Sequence, residues 1–178
     1  MKTETTRCSG LFGLLLLVAS ATAQAESAQA NTYVMVVYSD AAHGEKVLSG
    51  APEEVIAKLS RKKTGRSGNL ADQVNLCVAY TKTKQLDQAQ EACDAAIIAS
   101  KKEARRLERS GLYGRRTTLV AETGRAIALT NRGVLHAITG ESEQARTMFE
   151  LAMSLESEDQ SASSNLDLLE KKVAGRDS

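Results

Sequence analysis

Three asparagines carry the most pointed chemistry in this chain of 178 residues. Asn75, Asn131 and Asn165 open the similar stretches Asn75-Leu76-Cys77-Val78-Ala79-Tyr80, Asn131-Arg132-Gly133-Val134-Leu135-His136 and Asn165-Leu166-Asp167-Leu168-Leu169. The step from Asn131 to Asn165 is the length of a helical repeat, about 34 residues. The step from Asn75 to Asn131 is the same length enlarged by an insertion. A side-chain amide both donates and accepts, so an asparagine lining a groove can hold a bound peptide backbone at two points. An asparagine that only bonds a neighbouring helix would keep the same spacing, and the two readings stand side by side. Nothing else in the chain promises catalysis. His43 and His136 are the only histidines, and neither has a second ligand at helical spacing that suggests a metal site. A phosphate-cradling glycine loop, a serine nucleophile elbow and a supported pair of carboxylates are all missing. The expectation is a protein without enzymatic activity, metal or cofactor.

A repeat of this length belongs to stacked helical arrays rather than to one closed core. Composition agrees: 42% of residues are apolar, 3% are aromatic, Trp is absent and there is one Pro. Cores of Ala, Leu, Ile and Val suit close-packed helices, and helix interiors exclude Pro. The segment Tyr33-Val34-Met35-Val36-Val37-Tyr38 is β-branched and aromatic, which slightly favours a short strand over a buried helical start. Ser39 or Asp40 can cap a helix toward Ser49, with Gly50 at its end. Pro52, followed by Glu53 and Glu54, opens the next helix, which runs out near Lys63. Residues 61–69 read as a basic, Gly/Ser-rich loop. Helical spacing then covers Leu70 to Thr83, Leu86 to about Ser110, Arg116 to Gly140 with Gly124 as a candidate kink, Glu141 to Leu155, and Ser163 to Val173.

The helix pairs share one register. Counted from Leu70, the eighth, eleventh, twentieth, twenty-fourth and twenty-seventh residues are Cys77, Tyr80, Ala89, Cys93 and Ala96; counted from Ala126 they are Gly133, His136, Ala145, Phe149 and Ala152. Antiparallel helices approach closely where both carry small residues, with larger ones filling the space beside them. This pattern resembles the tetratricopeptide repeat over roughly residues 36 to 173. The resemblance is carried by Asn131-Arg132-Gly133, Gly140, Ala145, Phe149 and Ala152, and by Leu76, Tyr80, Ala89 and Ala96. It implies an all-α fold, a short right-handed superhelix of antiparallel helix pairs. The units fall at about 36–69, 70–103 and 126–159, with an insertion at 104–125 and a closing helix at 160–173. The first unit is degenerate, because His43 and Val55 stand where small residues belong. The family's usual Pro after the second helix is replaced by Lys101 and Ser157.

Tetratricopeptide arrays look like docking scaffolds whose first helices line a concave groove. Carried onto this chain, the groove positions are Val74, Asn75, Val78 and Lys82, then Thr130, Asn131, Val134 and Ile138. In the shared register Cys77 and Cys93 lie equidistant from the turn, so they face each other across the hairpin and are expected to form a disulfide; two small buried thiols are the plainer alternative. A redox-active pair is not expected, since the two are not in a CxxC arrangement. The insertion is read as lengthening two helices by about ten residues each, a hairpin reaching ~15 Å further, with a loop as the rival. It carries Arg105, Arg106 and Arg109 among Lys101, Lys102, Arg115 and Arg116. That cluster is either a solvated face, with Glu103 and Glu108 interleaved, or a docking patch for an acidic partner.

Residues 1–25 have the layout of a secretory signal peptide: Lys2 and Arg7, the apolar Leu11 to Val18, then small residues with cleavage after Ala23 or Ala25. The apolar run falls short of the ~20 residues of a spanning helix. An exported protein, periplasmic or secreted, is expected. Removing that segment leaves basic and acidic residues equal in number, a balance that argues against nucleic acid or an anionic membrane as partner. Residues 26–38 become an N-terminal tail and residues 174–178 a C-terminal one. Two functions remain open: an interaction module that binds a protein or peptide in the groove, and a self-associating structural subunit of an envelope assembly that uses the 33–38 segment or an end of the array.

Overall fold

The computed structural model describes residues 32–61, 69–111, 114–155 and 159–175. The expected signal peptide 1–25, residues 26–31 of the expected N-terminal tail and residues 176–178 of the C-terminal one lie outside the described residues, as do most of the 61–69 loop, the centre of the 111–114 turn and half of the 156–161 turn. The described chain is all-helical. In chain order come α1 (Gly44–Leu48), α2 (Pro52–Leu59), α3 (Leu70–Lys82), α4 (Leu86–Arg109), α5 (Arg115–Thr139), α6 (Ser142–Met153) and α7 (Ser161–Ala174). Each of α2 to α7 packs on the helix before it, and α3 also touches α5 while α5 touches α7. Helices in contact and joined by two or three residues, as α3 with α4 and α5 with α6, must run antiparallel.

Local chemistry sets these boundaries. Asn69 caps α3, its side-chain oxygen accepting from the Asp72 N–H at 2.7 Å, which satisfies one orphan donor of the first turn. Pro52 begins α2 with Glu53 and Glu54 behind it, where a missing N–H costs nothing and negative charge meets the positive end of the helix. Gly140, at φ 87°, ends α5 in a left-handed conformation, which glycine adopts without steric penalty. Packing follows the small-and-large register. A Cβ on Gly133 would lie 2.5 Å from the Phe149 ring, so the ring rests directly on the α5 backbone. Ala89, Ala92 and Cys93 of α4 pack with Cys77 and Val78 of α3 in one buried cluster.

Several expectations change. Residues 33–38 are extended, but no strand is found among the described residues; what satisfies the segment in place of a neighbouring strand is described below. The helix expected from Ser39 or Asp40 starts only at Gly44, with His43 before it and no side-chain cap. The carbonyls of Ala41 and Ala42 turn instead to the Asn75 amide. Helix α2 stops at Leu59, with Ser60 capping back to Ile56. Gly124 does not break α5, which runs through it. In the 104–125 region two helices take the place of a loop: α4 continues to Arg109 and α5 begins at Arg115.

Candidate functional site

The three asparagines stand on α3, α5 and α7, and one extended segment of the chain lies across all of them. Asn165 accepts from the Val34 N–H at 2.8 Å and donates to the Val34 carbonyl at 2.8 Å. Asn131 does the same to Val36, at 2.7 and 2.8 Å. Asn75 accepts from the Tyr38 N–H at 2.9 Å and donates to the Tyr38 carbonyl at 3.1 Å and the Ala41 carbonyl at 2.9 Å. Each amide thus grips both backbone polar groups of one residue, as a facing residue does in an antiparallel ladder. Alternate residues of an extended chain point the same way, which is why the gripped residues are 34, 36 and 38. The segment runs against the order of the helices, from α7 back to α3.

The ladder is dry. Asn75, Asn131 and Asn165 are all at most 1% exposed, so each bond works in a low-dielectric setting and each unmade bond would be costly. Side chains of the segment complete the burial. Tyr33 and Met35 pack on the cluster of Val134, Phe149 and Leu169. Val36 and Tyr38 pack on Leu70, Val74 and Ala128. Val37 and Met35 reach the cluster containing Val47, Val78 and Leu135. Lys172 holds its ammonium 4.4 Å from the centroid of the Tyr33 ring, a cation–π contact. Burial, with Glu103 as the lesser cause, pushes the Tyr38 phenol above its ordinary pKa. Two glycines make room: a Cβ on Gly44 would lie 1.9 Å from the Tyr38 carbonyl oxygen, and one on Gly124 would lie 3.1 Å from the Tyr38 hydroxyl.

The groove positions read from the sequence divide accordingly. Asn75 and Asn131 are brought together with Val74, Val78 and Val134 around the segment. Thr130 is buried, and its hydroxyl has no hydrogen-bond partner among the described residues. Lys82 turns away and donates to the Val47 carbonyl at 3.0 Å, tying α3 to α1. Ile138 is exposed near the end of α5. Asn165 marks the repeat in the sequence but is absent from the groove set read there, although its shared spacing is the signal for it. The occupant, residues 33–38, reads from sequence as a strand and not as the groove's ligand.

Outside the groove, Cys77 and Cys93 lie at disulfide distance, 2.00 Å between sulfurs and 4.9 Å between Cα atoms. Arg105, Arg106 and Arg109 are on the last turns of α4, with Arg105 and Arg106 exposed and the Arg109 side chain donating to the Arg105 carbonyl. His136 Nδ1 meets the Glu141 carboxylate at 2.5 Å; this bond, and then that from Thr139, holds Glu141 below the usual carboxylate range. Among the described residues no group of three or more His, Cys, Asp or Glu side chains could hold a metal. No helix among them is long and apolar enough to cross a membrane. Comparison of the chain with protein-family models, with curated proteins and with solved structures gave no match.

Proposed function

We propose that this chain is an exported, non-enzymatic interaction module, a tetratricopeptide-like array whose groove along α3, α5 and α7 holds extended polypeptide by its backbone. One observation carries the reading: three buried amides, one per first helix, each take the N–H and the carbonyl of alternate residues in a single extended segment. Backbone bonds at every second residue favour extended chain whatever its sequence, while the apolar walls select side chains. The small-and-large register, the helix order and the contacts of α3 with α5 and of α5 with α7 support the tetratricopeptide-like arrangement. The signal-like stretch 1–25 and the cysteine pair support export, since disulfides persist in oxidising compartments. The groove is filled in cis, so a protein partner enters by taking the place of residues 33–38. The test is crosslinked co-purification from the exporting cell with Asn75→Ala and Asn131→Ala variants. The expected outcome is loss of the partner with helicity retained; a partner held equally well by both folded variants would overturn the reading.

A further inference from the structure

We infer that residues 33–38 are exchangeable between copies of this chain, so that the Asn75, Asn131 and Asn165 ladder of one molecule takes the segment of another and a strand-exchanged dimer forms. The occupant is a second copy because its segment already fits every position of the ladder. All six backbone bonds of Val34, Val36 and Tyr38 can be remade in trans, with the same burial of Met35, Val36 and Val37. What differs between the closed monomer and the exchanged dimer is the connection between the segment and α1.

That connection is short and strained. Ala42 at φ 50° and His43 at φ 60° are the only adjacent pair of positive-φ residues among those described. Each left-handed non-glycine residue carries roughly a tenfold population penalty, less for His than for Ala. The turn folds so tightly that Gly44 has no space for a Cβ beside the Tyr38 carbonyl. Straightened at about 3.3 Å per residue, residues 39–43 span ~16 Å, enough to carry the segment off its own groove. A short hinge under strain that leads to an element with identical partners in every copy is the arrangement that favours exchange. Closure in cis is favoured by effective concentration and by the Asn75 bonds to Ala41 and Ala42, so the dimer grows with protein concentration.

The exchange depends on the ladder and the hinge, so it stands or falls apart from the foreign partner proposed above. The test places p-benzoylphenylalanine at Val34, whose side chain is half exposed. An equal mixture of ¹⁴N- and ¹⁵N-labelled protein is refolded from denaturant with the cysteines kept paired, at low and at high concentration, then irradiated. Crosslinks from position 34 to α7 that join the two isotopes, rising with concentration, are expected. Same-isotope crosslinks alone at every concentration would overturn the inference. On the hinge, Ala42→Gly is expected to lower the dimer fraction severalfold. Ala42→Pro, whose ring forbids the left-handed φ of that position, is expected to raise it about tenfold or more. A folded, monomeric Ala42→Pro protein would also overturn it. If that variant does not fold, the isotope result on the unaltered hinge decides.

Discussion

An asparagine amide has the shape of a peptide group, and this molecule uses it as one. In a sheet, a strand finds its donors and acceptors on a neighbouring backbone; here Asn131 supplies both to Val36 from a helix. Removing the amide in Asn131→Ala leaves a half-buried N–H and carbonyl without partners, at an expected cost of about 2 to 4 kcal/mol, measurable as a fall in the denaturant midpoint that does not depend on pH. Asn131→Asp separates donation from acceptance. Its carboxylate still accepts from the Val36 N–H but sets a second oxygen against the Val36 carbonyl, and burial also disfavours the charge. The folded-state pKa is therefore raised above the unfolded value of about 3.9. A raised pKa means stability that is fully present below about pH 4 and is lost as pH rises through the folded-state value, levelling off above it. A midpoint difference between Asn131→Asp and the unaltered protein that is flat from pH 3 to 8 would show that the amide is not donating to Val36. The type and spacing of these residues announced an amide that can read a backbone. Which backbone was not legible, because Val34 to Val37 has the composition of a strand and composition does not say what an extended segment will pair with.

At the scale of elements, spacing foretold the long helices well and the short ones poorly. Helices α3 to α7 bury a stripe of small and large residues in a shared register, so periodicity fixes their course to within a few residues. Helix α1 is governed from outside. The Ser39 or Asp40 start fails because Asn75, far along the chain, takes the carbonyls of Tyr38, Ala41 and Ala42 and pulls the turn tight; propensity yields to a tertiary contact. The α5–α6 pair shows the register at its most demanding. Gly133→Ala gains helix propensity worth up to about 1 kcal/mol. It also drives a methyl into Phe149, with three ring atoms between 2.5 and 3.1 Å away. Overpacking of this kind costs about 1 to 3 kcal/mol, so net destabilisation is expected. Phe149→Leu alone removes ring contacts and is itself destabilising. In the double variant the smaller side chain gives the new methyl room, so thermal unfolding should show a loss smaller than the sum of the two single losses. Simple additivity would mean that Phe149 does not press on the α5 backbone.

At the largest scale the described residues are a succession of packed helices tied by a strap. In helical arrays each unit meets only its neighbours, and stability spreads as a sum of local terms. The 33–38 segment breaks that rule, because it bonds α3, α5 and α7 together through residues that are 37, 95 and 131 positions away in the chain. The helical periods made the order of the long helices legible, and within 104–125 the chain is helical to Arg109 and again from Arg115. The strap could not be read, since nothing in the repeat period marks a segment that crosses it. The strap should make α7 unfold with the rest. Helix α7 otherwise touches only α6 and α5, and an end helix of that kind frays first. Val36→Pro removes the N–H that Asn131 accepts, at the middle of the strap, while an extended chain still accommodates the fixed φ of a proline ring. In the unaltered protein, amide exchange of Leu168 and Leu169 on α7 should be as slow as that of Val78 and Ala79 on α3, which sit beside the Cys77–Cys93 pair. In Val36→Pro, exchange on α7 should quicken by at least tenfold more than exchange on α3, because the bridge between them is cut while the cysteine-paired α3–α4 hairpin keeps its own contacts. Equal quickening on both helices would mean that the array is cooperative without the strap, and that the segment only fills space.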